Sequence, residues 1–103
     1  MIHVLAALST VPGKRDELIA AFKELAPKVH AEQGCIEYAT AVDIETSLGA
    51  QEPLRPDVLM VVEKWESIAA LEAHLAAPHM EEFRNAMSEV LTGISLQVLQ
   101  PAE

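Results

Sequence analysis

At 103 residues the chain has room for one domain, residues 1–103, with a modest core of its own. Sixteen acidic against seven basic residues leave a net charge of -9, which argues against nucleic acid and anionic membranes as partners, because both select basic patches. Half of the residues are hydrophobic but no apolar run approaches membrane-spanning length, so a cytoplasmic setting is expected, with surplus apolar surface covered by a second copy of the chain.

The first run, His3 to Thr10, carries Val4, Leu5 and Leu8, with Ile2 just before it, and reads as a buried strand. It is short, lacks a basic leader and goes straight into a turn, which separates it from a signal peptide. Val11-Pro12-Gly13-Lys14 is that turn. A helix follows, with Leu18, Phe22, Leu25 and Val29 spaced as one amphipathic stripe and Asp16 and Glu17 in the first turn, where the helix dipole favours acids. Pro27 is expected to kink this helix or end its regular part early, and Gly34 to stop it. Ile36 to Asp43 reads as a second strand, with Ile36, Tyr38, Thr40 and Val42 on one face. Ile44 to Pro56 is a loop too long for a tight hairpin, either a flap over a pocket or a plain connection.

Val58 to Trp65 reads as a strand covered on both faces. Alternation puts Leu59, Val61, Glu63 and Trp65 on one side and Val58, Met60 and Val62 on the other. Ser67 is a candidate N-cap of a helix with the stripe Ile68, Leu71 and Leu75 and with His74 beside it. Pro78 breaks or restarts that helix. A further helix carries Met80, Phe83, Met87 and Val90 and is expected to end at Gly93, and Ile94 to Leu99 is the last strand, with Ile94, Leu96 and Val98 facing one way. The order β-α-β-β-α-β predicts an α+β, ferredoxin-like antiparallel sheet with helices on one face. The other face then needs a cover, and a second subunit's sheet would supply it.

The chemistry-bearing residues cluster in the stretch from Val58 to His79. A carboxylate such as Glu63 on an apolar strand has a raised pKa unless it is paired, which suits proton transfer near neutrality; the alternative is an ion pair with Lys64, Lys14 or Arg84. Trp65, the only tryptophan, is a core residue or a ring stacking on a flat substrate. His74, at the edge of a buried helical face, is a candidate base or a hydrogen-bonded boundary histidine. His79 lines the same pocket, caps the helix or faces solvent; His3 is a weaker candidate, and His30 reads as surface. Glu63, His74 and His79 would supply a carboxylate and two imidazoles, but the histidines are five apart with Pro78 between them, so no metal site is expected. The single cysteine, Cys35, allows no intrachain disulfide and reads as packing. No nucleophile elbow, phosphate-binding glycine loop or dinucleotide fingerprint is present, so nicotinamide or flavin bound by such motifs is not expected.

The turn Val11-Pro12-Gly13-Lys14, the stretch Glu32-Gln33-Gly34-Cys35-Ile36-Glu37-Tyr38, the strand end Glu63-Lys64-Trp65-Glu66-Ser67 and the helix Ala70-Leu71-Glu72-Ala73-His74-Leu75 with Pro78-His79 beyond resemble the antibiotic biosynthesis monooxygenase (ABM) domain. No single motif is decisive; their order and spacing over nearly the whole chain carry the resemblance. It implies a ferredoxin-like homodimer with a joint barrel, a pocket between sheet and helices, and oxidation of a quinol or polyphenol by dioxygen with no cofactor. It also implies His74 and Glu63 as the catalytic pair, with Trp65, Tyr38 and His79 around the substrate. The loop from Ile44 to Pro56 is longer than the resemblance leads one to expect. Haem-degrading members of the family use an asparagine on the first strand; here the position falls near Ala6 and that strand has none, so haem is disfavoured. Two other readings stay open on the same residues: an isomerase or proton-transfer enzyme that uses no oxygen, and a dimeric small-molecule-binding domain.

Overall fold

The computed structural model describes residues 1–103 as β1 (Ile2–Thr10), α1 (Arg15–His30), β2 (Cys35–Ala41), β3 (Val58–Trp65), α2 (Ile68–Leu75), α3 (Pro78–Ala86) and β4 (Leu91–Leu99). The strands form one antiparallel sheet in the order β2-β3-β1-β4. This is the βαββαβ ferredoxin-like plan, with its second helix split in two by Pro78, which stands at the start of α3. The molecule measures 39 × 38 × 19 Å, and 19 Å is the depth of one sheet and one layer of helices.

Helix α1 buries Leu18, Phe22, Leu25 and Val29, the four residues of the sequence stripe. It does not end early at Pro27. Proline removes one N–H, but its carbonyl still accepts from Ala31 N–H at 3.2 Å, and the last turn closes through His30. Gly34 therefore does not stop the helix. It lies in the following turn with φ +87°, and a Cβ there would stand 2.6 Å from Ala70 Cβ. Only glycine lets this turn take that conformation and approach α2 so closely.

Along β3 the alternation holds: Leu59, Val61, Glu63 and Trp65 are buried under the helices, and Val58, Met60, Val62 and Lys64 are half-exposed on the opposite face. That face has no cover within the chain. In β2 the expected face is broken. The pairing with β3 shifts between Cys35 and Glu37, so Ile36 falls out of the alternation and is exposed, and Val42 lies beyond the strand's end. Tyr38, opposite Glu63, is the one buried residue of β2.

In α2 the buried residues are Leu71 and His74, while Ile68 and Leu75 are largely exposed. The helix thus turns Leu71 and His74 inward rather than the all-apolar stripe. Ser67 is its N-cap, its Oγ accepting from Ala70 N–H at 3.1 Å. Helix α3 ends at Ala86, and Gly93 lies inside β4, which begins at Leu91. Ile94, Leu96 and Val98 pair with Leu8, Ala6 and Val4 and so belong to the helix-side face, yet they are exposed because no helix reaches this edge.

The connection between β2 and β3 is tied to itself. The Arg55 guanidinium donates twice to the Asp43 carboxylate, at 2.9 and 2.8 Å, its backbone N–H donates once more at 2.9 Å, and Gln51 Nε2 donates to Ile44 O at 2.7 Å. Arg15 holds the loop to α1 through Arg55 O at 3.3 Å.

Candidate active site

Between the open edge at β4 and the helices lies an apolar cavity of about 180 Å³. Its floor is the helix-side face of the sheet, with Ala6 and Leu8 of β1, Val61 and Glu63 of β3 and Tyr38 of β2. Phe22 of α1, His74 and Leu75 of α2, and Met80, Phe83 and Arg84 of α3 form the opposite wall, and Ile94 and Leu96 of β4 line the open edge. No residue of the long β2–β3 loop lines it, so the loop is not a flap over this cavity within the chain; its own ties hold it at the other end of β3.

Strand periodicity delivers Glu63 and Trp65 to the same face, two residues apart, and Trp65 Nε1 donates to Glu63 Oε1 at 2.9 Å. Both are buried. None of the expected lysine or arginine partners reaches Glu63; Lys64 points to the other face, 3.6 Å from Glu37. Burial pushes the Glu63 carboxyl up to about 7; the Trp65 hydrogen bond pulls it down and the charge of Glu32 adds to the rise. Trp65 is fully buried and does not line the cavity. It supports the two groups that do, stacking against His74 with ring centroids 4.6 Å apart.

His74 is 1% exposed, and burial lowers its pKa against the opposing hydrogen bond and charge of Glu32. Its Nδ1 lies 2.9 Å from Glu32 Oε2. Tyr38 meets the His74 ring edge-on at 5.4 Å between centroids, and burial, with the charges of Glu63 and Glu32, pushes its phenol well above the ordinary range. The cavity thus holds a neutral imidazole, a carboxyl able to ionise near neutrality and a phenol that stays protonated, all against apolar walls. Such a set can take a proton from an acidic hydroxyl and offer donors to the resulting anion.

His79 is not in the cavity. Its Nε2 lies 2.8 Å from the same Glu32 Oε2, and its ring faces a more open groove between α1 and α3. Helix α3 restarts at Pro78, which turns His79 away from the face that carries Met80 and Phe83. His3 pairs with Lys64 on the face opposite the helices. His30 is exposed and donates to Tyr38 O at 2.9 Å. Cys35 is half-buried, and burial followed by the nearby acids raises its thiol pKa, which is the opposite of nucleophile activation. No group of three or more His, Cys, Asp or Glu residues is arranged to hold a metal ion. No helix is long and apolar enough to cross a membrane.

Two participants were not singled out from the sequence. Arg84, which the sequence offers only as an ion-pair partner for Glu63, lines the cavity while donating to Leu75 O at 3.2 Å. Glu32 stood inside the stretch that carries the family resemblance, but nothing in its spacing gave it a role.

Residues 1–86 match the family model for antibiotic biosynthesis monooxygenase. YgiN of Escherichia coli K12, described as "Probable quinol monooxygenase", is 37% identical over 103 residues, with 98% of each chain covered. Two solved structures superpose closely. Rv0793 from Mycobacterium tuberculosis has a TM-score of 0.79 at 25% identity, covering 99% of this chain and 95% of the other. SO0527 from Shewanella oneidensis has a TM-score of 0.78 at 28% identity, covering 95% and 87%. With its ferredoxin-like sheet, its cavity between sheet and helices, and a family match over most of its length, the chain belongs to the antibiotic biosynthesis monooxygenase family.

Proposed function

We propose that this chain is a cofactor-independent monooxygenase that oxidises a quinol or polyphenol with dioxygen. The observation that carries the reading is that His74 and Glu63, both buried, open on one apolar cavity. At about 180 Å³ the cavity is smaller than the roughly 300–1,000 Å³ of sites for drug-sized ligands, which suits one small aromatic molecule. The name of the YgiN relative points to the same substrate class.

His74 takes the proton of a substrate hydroxyl. The anion, poorly solvated among Phe22, Phe83, Leu8 and Leu96, is a stronger reductant than the neutral quinol and passes electrons to dioxygen. One oxygen atom bonds to a ring carbon, and the O–O bond breaks. The second oxygen leaves as water with two hydrogens from the substrate. Quinol plus dioxygen therefore gives hydroxyquinone plus water, with the substrate supplying all four electrons and no outside reductant. Glu63, poised near neutrality, relays a proton to the departing oxygen, and Tyr38 and Arg84 offer donors to the substrate anion.

A cytoplasmic homodimer is part of this reading. The sheet face away from the helices carries Leu5, Met60 and Val62, partly exposed, and a second copy packing sheet to sheet would cover them.

The test is oxygen uptake by chelator-treated, flavin-free protein with a panel of hydroquinones and naphthohydroquinones under ¹⁸O₂. One labelled oxygen in the product and one in water are expected. His74→Ala should lower kcat by about 10²–10⁴-fold. No uptake, combined with His74-dependent exchange of a carbon-bound proton in a carbonyl substrate, would replace oxidation by proton transfer.

A further inference from the structure

Glu32 lies outside the cavity, in the turn between α1 and β2, yet its Oε2 meets two imidazoles at once. His74 Nδ1 of α2 is 2.9 Å away and His79 Nε2 of α3 is 2.8 Å away. The carboxylate side chain is 13% exposed, so the three groups meet largely out of water. A carboxylate oxygen only accepts, so both ring nitrogens donate to it. A neutral His74 with its proton on Nδ1 carries its lone pair on Nε2. No fully buried side-chain nitrogen or oxygen lacks a partner, and His74 has its one hydrogen bond through Nδ1; Nε2 is therefore the atom it presents to the cavity it lines.

We propose that Glu32 is a positioning residue: clamped between His74 and His79, it holds His74 in the Nδ1–H tautomer and keeps Nε2 free to take the substrate's proton. This deepens the reading of His74 as the base, and rests on it. The clamp also joins three separate pieces of chain, since Glu32 stands 42 residues from His74 and 47 from His79. His79 supplies a second donor to Glu32, which keeps the carboxylate oriented while it faces His74. The other polar groups around His74 are Tyr38 from β2, Glu63 and Trp65 from β3 and Arg84 from α3. None of them has a hydrogen bond to the His74 ring, so the tautomer is set by Glu32.

Long-range ¹H–¹⁵N spectra of histidine-labelled protein, at a pH where His74 is neutral, test this directly. Wild-type protein should show His74 with Nδ1 protonated and Nε2 bare. Glu32→Gln, whose amide can both donate and accept, should show mixed tautomers. Its kcat with a quinol should fall about 10–100-fold, as for loss of other groups that orient a functional histidine, with KM little changed. Its His74 titration should move to lower pH, because the carboxylate opposes the lowering caused by burial. Glu32→Asp, which restores the charge, should recover part of the kcat and the wild-type tautomer. An Nε2–H tautomer in the wild type, or an unchanged tautomer and titration in Glu32→Gln, would overturn the proposal. If Glu32→Gln does not fold, the wild-type spectrum and Glu32→Asp decide. If wild-type protein consumes no oxygen with any quinol, the functional reading fails, while the spectra still judge the clamp.

Discussion

Trp65 Nε1 donates a 2.9 Å hydrogen bond to Glu63 Oε1, from a position two residues further along the same face of β3. Strand alternation makes the pair, and burial makes it matter. The indole N–H is the only side-chain donor that reaches this carboxyl, and without it the charged form would stand in the core unsupported.

Trp65→Phe should therefore raise the Glu63 pKa above about 7. A hydrogen bond to a charged group contributes about 1.5–3 kcal/mol, equivalent to roughly one to two pH units. The check is a ¹³C NMR titration of the Glu63 side chain in the two proteins. An unchanged midpoint would show that the bond does not support the ionised form.

The same carboxyl links stability to pH. Its folded pKa of about 7 lies above the ordinary carboxyl value of 4.5, so the native state holds the proton more tightly than the unfolded chain. Between those two values the unfolded state binds fewer protons, and Glu63 makes stability fall as pH rises, with the full cost present above about 7. His74 acts in the opposite sense: its lowered pKa costs stability as pH falls below the unfolded histidine value. Glu63→Gln should remove the first slope only, leaving the variant more stable than wild type at pH about 8 by about 3 kcal/mol and about equal to it near pH 4.5. Urea unfolding of both proteins across this range measures the difference.

Gly34→Ala should destabilise the fold without touching any cavity residue. A non-glycine residue at positive φ costs of order 1–3 kcal/mol, and the new methyl would also have to displace Ala70 of α2. For a chain of this length each kcal/mol lowers Tm by about 4–8 °C. Differential scanning calorimetry should show a drop of about 10 °C or more on this basis. A Tm equal to that of wild type would mean that the turn relaxes freely.

Val62→Arg places a charge in the middle of the uncovered sheet face, opposite Leu5 of β1 and Ala39 of β2. If two such faces pack together, the substitution buries like charges across the dimer axis. The dissociation constant should then rise about 100-fold or more, equivalent to roughly 2.7 kcal/mol. Sedimentation velocity over a concentration series reads this. Lys64→Glu, at the margin of the same face, should have a much smaller effect.

Much of the fold was legible because its signals are local. The α1 stripe, the alternation along β3, the Ser67 cap and the restart at Pro78 each depend on residues within one or two turns of each other, and the structure keeps all of them. The readings that changed involve elements whose environment is supplied from elsewhere. Ile68 and Leu75 look like core residues but are exposed, because the packing of α2 on the sheet turns His74 inward. Ile36 looks like a strand-face residue, but a register shift against β3 displaces it. At β4 the alternation is kept, with Ile94, Leu96 and Val98 on the helix-side face, and only their exposure is decided from elsewhere, by the helices stopping short of this edge.

For the site, sequence alone determined that Glu63 would project from an apolar strand beside Trp65 and that His74 would lie on the helix packed over it. Only the tertiary structure decided what those residues do to one another. It placed Trp65 behind the cavity as support for Glu63, moved His79 out of the cavity, and brought Glu32 between the two histidines. Periodicity reports which face of an element a side chain occupies, over spacings of two to four residues. A carboxylate shared by imidazoles 42 and 47 residues away depends on how the turn after α1, α2 and α3 converge, and no local pattern encodes that meeting.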